Sequence, residues 1–297
     1  MPDDALHEAR HLLNELTEAA RKGQIIPIRL TGQLEAIQEA FERAQEQQAQ
    51  AAAAAAAAAP SGDIERFTQE LAGLLSHGFH DLRLPLTNIR GYADMLGSPA
   101  MGTLSDMQAQ FVGTVRTNAR RMEALLIDVS DIAKLRCGTL KATPKMDMFK
   151  NIAMMTEKAM RPLADELQRK FEVDVPQGLP LLNTDGELLA KALNKLVENA
   201  LRYTRPEDGH VRLSGEAEGK LLHIRVEDNG IGMSPEELGQ LGTPYFRADN
   251  DLVLSYKGSG LGIPIAFGLI RLLGGSIGAA SQPGQGTTFT VTLTGMG

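Results

Sequence analysis

Tryptophan is absent from this 297-residue chain, aromatic residues make up only 4%, and Cys137 is the single cysteine. Any core is therefore built from aliphatic side chains, which a hydrophobic content of 43% can supply for one to three domains. One cysteine excludes an intrachain disulfide and a cysteine metal cluster, and it fits a reducing, cytoplasmic setting. Positive charge is short as well. A formal net charge of −7 and a pI near 5.5 argue against a nucleic-acid binder, whose surface should be basic. No run of about 18 apolar residues occurs, which removes a membrane-spanning helix. The acidic opening MPDDALHEAR lacks an apolar core segment and is no secretory signal.

Residues 3–21 and 31–59 read as helices separated by RKGQIIPIRL, the second ending in nine alanines, the best helix formers. Pro60-Ser61-Gly62 breaks the pattern and Asp63 can cap the next helix, so residues 1–62 form a helical N-terminal segment and connector. From 63 to about 140, two seams alternate steps of four and three. The first runs Leu75, Phe79, Leu82, Leu86, Ile89, Ala93, Leu96, and the second Phe111, Val115, Asn118, Met122, Leu125, Val129, Ile132, joined by GSPAMGTL. Each helix of such a hairpin buries only one stripe, so two hairpins from a homodimer are expected to form a four-helix bundle. Asn118 would help fix its register, or is solvated.

Residues 145–297 change to mixed α and β. KFEVDV, HVRLS, KLLHIRVED and TTFTVTL read as strands, the last two alternating Leu222, Ile224, Val226 and Phe289, Val291, Leu293 onto one face. Asp185 is expected to cap a helix reaching Thr204, and another helix spans about 261–273. The chain as a whole thus reads as α+β, with a C-terminal layered α/β sandwich.

Chemistry clusters in a few short stretches. In SHGFHDLRLPLT, His80 lies about 100° around the helix from Phe79 and so faces outward, where a neutral imidazole is a competent phosphoryl acceptor. Asp81 would orient the ring or take its proton. His77 reads as a solvated surface residue. Pro85, one turn on, deletes a helical donor at a cost of about 3 kcal/mol, which lets the helix bend. VEDNGIGM places Asp228 at a strand end before Gly230 and Gly232, either to accept a hydrogen bond from an adenine amine or simply to cap the turn. VENALRYT puts Asn199, Arg202 and Tyr203 near a helix end, and an amide oxygen such as that of Asn199 suits Mg²⁺, unless it is merely solvated. GSGLG (Gly258, Gly260, Leu261, Gly262) opens a helix whose amides can cradle phosphate. No G-x-x-x-x-G-K-[ST] loop occurs, so a P-loop NTPase is unsupported.

The order of these stretches strongly resembles that of the sensor histidine kinases of two-component signalling. HDLRLPLT matches the family's phosphoacceptor box, VENALRYT its Asn box, VEDNGIGM and GSGLG its nucleotide-binding glycine boxes, TPYFRAD (with Phe246) its phenylalanine box, and GQGTTFTVTL its closing box. The resemblance covers residues 63–297. It implies a dimerisation and phosphoacceptor domain at 63–140 and a catalytic ATP-binding domain of the GHKL type at 145–297. It further implies a protein-histidine kinase that phosphorylates His80 from ATP and passes the phosphoryl group to an aspartate of a response regulator's receiver domain. Asp228 and Thr287 would read adenine, Asn199 would hold Mg²⁺, and residues 234–257 would form a lid. Three positions depart from the family pattern: Asp81 replaces Glu, Lys195 stands where an Asn is usual, and Leu84 replaces the Thr or Asn that supports phosphatase activity. Lys195 also tells against an ATP-hydrolysing relative, which needs a Glu there. A nucleotide-binding dimeric pseudokinase scaffold is the alternative from another class.

Overall fold

The computed structural model describes residues 62–205, 207–248, 253, 256 and 258–296, with His11, Asn14, Glu15, Glu18 and Ala36 upstream; for residues 62–77, 80 and 99 it describes the backbone alone. The helices expected over 3–21 and 31–59, the break at 60–61, and the side chains of Asp63, Leu75 and His77 lie outside the described residues. The chain forms two compact units, Met1–Ala133 and Lys134–Gly297.

In the first unit, α1 (Gly62–Leu96) and α2 (Asp106–Arg136, its last turn in the second unit) run antiparallel, joined through a short 3-10 turn at Pro99–Met101. Their register is marked by Arg90 against Glu123 at 2.5 Å, by Thr87 on the same carboxylate at 3.2 Å, and by Arg116 and Arg120 around Asp94. Helix α1 continues through Pro85. The reason is energetic: Leu82 and Leu86 are each only 2% exposed, and burying two leucines contributes about 3–6 kcal/mol, which offsets the proline's cost of about 3 kcal/mol. Phe79, Leu82, Leu86 and Ala93 of the expected first seam are buried, while Leu96, at the helix end, is largely exposed. The second seam behaves differently. Ala119 and Leu126 are the apolar residues of α2 buried within the chain, and Phe111 and Val115 remain 63% and 43% exposed. The hairpin alone leaves this apolar stripe uncovered.

The second unit is a five-stranded sheet in the order β2-β4-β5-β7-β6, built from Lys170–Asp174, His210–Glu218, Leu221–Asp228, Gly286–Thr294 (β7) and Ser276–Gln282 (β6). β2 and β4 are parallel; the other pairings are antiparallel. The alternating residues Val211, Leu213, Leu222, Ile224, Val226, Phe289, Val291 and Leu293 make its inner face, all essentially buried. Helix α4 (Gly186–Tyr203) lies against β4 and β5 and packs between α3 (Phe149–Glu166) and α6 (Gly262–Leu272). Its start is set by Asp185, whose carboxylate accepts the Leu188 N–H at 3.1 Å, as the capping pattern predicts. A short helix, α5 (Pro235–Gly239), begins at a Ser234–Glu237 capping box. Two further strands, β1 (Lys145–Met148) and β3 (Leu181–Thr184), pair with each other in a small separate sheet.

Candidate functional site

Four segments meet where β5 ends and β7 begins. Asp228 closes β5 directly opposite Thr287 of β7. Its Oδ1 accepts the Gly230 N–H at 2.9 Å and the Thr287 N–H at 3.1 Å, while Oδ2 takes no hydrogen bond among the described residues. Burial outweighs these two donors and pushes the carboxyl up to about 6. Asp228 is therefore a fixed, half-desolvated acceptor with one oxygen to spare. The Thr287 hydroxyl lies 3.0 Å from Ser281 Oγ, which also accepts the Met233 N–H and donates to Gly286 O.

The turn after Asp228 requires glycine twice. A Cβ on Gly230 would lie 2.4 Å from the Tyr203 carbonyl oxygen, and one on Gly232, at φ +63°, would lie 1.9 Å from the Gln282 carbonyl oxygen. The loop is thus pressed against the end of α4 and the start of the β6–β7 turn. The Ile231 N–H seals the first contact by donating to Tyr203 O at 3.1 Å.

Helix α4 supplies the second wall. Asn199 is half-buried and makes no hydrogen bond among the described residues, which leaves its amide oxygen available. Arg202 instead pairs with Glu198 at 2.9 Å and sits 5.8 Å from the Tyr256 ring centroid. Tyr203 meets the same ring edge-on at 6.1 Å, and burial raises its phenol pKa. The GSGLG stretch enters α6 with Gly262 beside the Lys195 stem, so the first-turn amides of α6 and Lys195 are neighbours. Leu261 is fully buried and anchors the start of α6 in the core. Tyr245, next to Phe246, donates its N–H to Gly260 O at 3.1 Å, which ties the phenylalanine segment to GSGLG. The residues present fit a Mg²⁺-nucleotide: a carboxylate with one unengaged oxygen, glycine backbones that admit close approach, helix-terminal amides, and one unengaged amide oxygen. Among the described residues no group of three or more His, Cys, Asp or Glu could cage a metal.

The other expected centre is on α1. His80 is a helical residue whose side chain lies outside the described residues; Asp81 is half-buried, and Leu84, one turn on, is 64% exposed.

Two family models match in the order the boxes run. The His Kinase A (phospho-acceptor) domain covers residues 71–138, and the histidine kinase-, DNA gyrase B- and HSP90-like ATPase covers residues 184–295. The chain belongs to the histidine kinases. It is 29% identical to histidine protein kinase DivJ of Caulobacter vibrioides across 78% of this chain and 38% of DivJ. It is also 29% identical to sensor histidine kinase WalK of Bacillus subtilis across 77% of this chain and 37% of WalK. The fold matches full-length ShkA, solved in complex with AMPPNP, at a TM-score of 0.62 and 24% identity over 75% of this chain and 46% of that one. The chain spans about a quarter to two fifths of the length of the first curated relatives it matches. No helix among the described residues is long and apolar enough to cross a membrane.

Some of the site was not visible in the sequence. Ser281, which accepts the Met233 N–H and meets the Thr287 hydroxyl, sits in the Gly/Ala/Ser-rich strand β6, and Tyr256 carries no motif. Only the strand opposite Thr287 could have pointed to Ser281.

Proposed function

We propose that this chain is an ATP-dependent protein-histidine kinase that phosphorylates His80 and then passes the phosphoryl group to an aspartate of a response regulator's receiver domain. The observation that carries the nucleotide half is the Asp228 carboxyl, held by two backbone N–H groups at Oδ1 with Oδ2 unengaged among the described residues. An acceptor there favours the exocyclic amine of adenine and disfavours the carbonyl of guanine. Thr287 adds its hydroxyl beside it. Asn199 would hold Mg²⁺, whose charge offsets that developing on the transferred phosphoryl group. Gly258, Gly260 and Gly262 let the backbone approach the phosphates, and the α6 amides donate to them. Arg202, Tyr203 and Phe246 complete the walls.

On α1, one ring nitrogen of a neutral His80 forms the bond to the γ-phosphorus as the bond to the β–γ bridging oxygen breaks and ADP departs. Asp81 accepts or orients the ring proton on the opposite nitrogen. The receiver aspartate then takes the phosphoryl group and the imidazole is restored. A homodimer would cover the apolar stripe at Phe111 and Val115. Leu84 offers no donor or acceptor to hold an attacking water, so phosphatase activity on the regulator would be weak. The cytoplasmic setting belongs to the same proposal.

The test is incubation with labelled ATP and Mg²⁺. An acid-labile, alkali-stable label lost in His80→Gln and kept in His77→Gln is expected. Full labelling of His80→Gln would refute the assignment, and nucleotide binding without any label would return the pseudokinase scaffold.

A further inference from the structure

Arg169 follows α3 and immediately precedes β2, outside every kinase box, yet its guanidinium is buried. Nε donates to Thr204 Oγ1 at 3.1 Å, Nη2 to the Thr204 carbonyl at 3.4 Å, and Nη1 to the Leu167 carbonyl at 2.6 Å. Thr204 is fully buried and caps α4, with its N–H on Ala200 O and its hydroxyl on Leu201 O. A cation therefore sits at the negative end of the helix that carries Asn199 and Arg202. Gly209 packs so tightly on the Arg169 stem that a Cβ there would lie 2.2 Å from Cδ.

The same connection is gripped from its other side by the adenine loop. Asn229 Oδ1 accepts the His210 N–H at 2.8 Å and its Nδ2 donates to the Asp208 carbonyl at 2.8 Å. Tyr203, just before Thr204, receives Ile231 N–H and abuts Gly230, whose own N–H holds Asp228. Asp228 and Asn199 thus belong to different elements that meet through one short connection, residues 204–210. Arg169 is the buried group that pins its first residue.

We propose that Arg169 is a positioning residue of the nucleotide site: by fixing the end of α4 it sets Asn199 and the Asp228 loop at the spacing the nucleotide needs. The inference rests on the nucleotide reading given above. It touches no ligand and acts through Thr204, Tyr203 and Gly230.

The test is calorimetric titration of the full chain with ADP and Mg²⁺, using Arg169→Lys, Thr204→Val and a core variant of β5 with a matched loss of thermal stability (Ile224→Val or Ile224→Ala). Circular dichroism at the titration temperature establishes that each is folded. Arg169→Lys keeps the charge but not the three-way fork, and should weaken ADP by about tenfold. Thr204→Val should weaken it less, and the double variant should lose less than the sum of the two single losses, because both remove the bond between Arg169 Nε and Thr204 Oγ1. The pH midpoint of binding should move in Arg169→Lys and stay in the core variant, which should bind as wild type does. Equal loss in the core variant, or wild-type binding by a folded Arg169→Lys, would overturn the inference; if Arg169→Lys does not fold, unchanged binding by Thr204→Val overturns it. Wild-type chain that binds no ADP would overturn the nucleotide reading and this inference with it.

Discussion

Replacing Asp228 with Asn should stabilise the nucleotide-free protein and weaken nucleotide binding at once. Burial raises this carboxyl from 3.8 to about 6, so above pH 6 the folded chain carries a charge that it disfavours by about 3 kcal/mol relative to the unfolded chain. The sign follows from a raised carboxyl pKa. The stability associated with the group is fully present below about pH 4 and is lost as pH rises through about 6. Asn keeps an oxygen for the Gly230 and Thr287 amides and carries no charge, so the variant should gain about 1–3 kcal/mol at pH 8 and about nothing at pH 3.5. Removal of the charged acceptor should meanwhile cost adenine binding about 1.5–3 kcal/mol. Urea unfolding of the second unit at the two pH values, paired with ADP titration at pH 8, reads both effects. A variant no more stable than wild type at pH 8, or equally stabilised at both pH values, would show that the carboxyl is not desolvated as described. Unchanged ADP affinity would place the adenine elsewhere.

In the wild type, ADP affinity should fall as pH drops through about 6, since a protonated Asp228 loses its accepting charge; titrations from pH 5 to 8 check this, and a flat profile would contradict it. Asn199→Ala should abolish the Mg²⁺-dependent part of ATP binding while sparing the Mg²⁺-independent part, seen by titrating with and without the metal. Gly232→Ala should remove nucleotide binding and destabilise the second unit, because its methyl would enter the Gln282 carbonyl at a left-handed φ; circular dichroism melting and ADP titration read the two losses. Leu84→Thr should accelerate the removal of label from purified phospho-regulator, and rapid removal by wild type would refute the assignment of weak phosphatase activity to Leu84.

What the linear order of residues determined was local. Period-two alternation in KLLHIRVED and TTFTVTL placed two central strands and their inward faces, because a strand must put alternate residues on one side. Asp185 marked the start of α4, and the 3-4 spacing of Phe79, Leu82 and Leu86 marked a buried helix face. The glycine boxes were legible for a similar reason: close approach and left-handed backbone leave no other residue type. Tertiary structure alone decided the rest. Strand β6 (SIGAASQ) and the four-residue strands β1 and β3 have too little β-branched or alternating character to announce themselves, and their neighbours impose the pairing. The exposure of Phe111 and Val115 depends on which face of α2 the hairpin covers, which spacing within one helix cannot specify. Asp228's raised pKa, Ser281 against Thr287, and Arg169 under Thr204 all join residues distant in the chain. Desolvation and hydrogen bonding act between groups that only the fold brings within a few ångströms of each other.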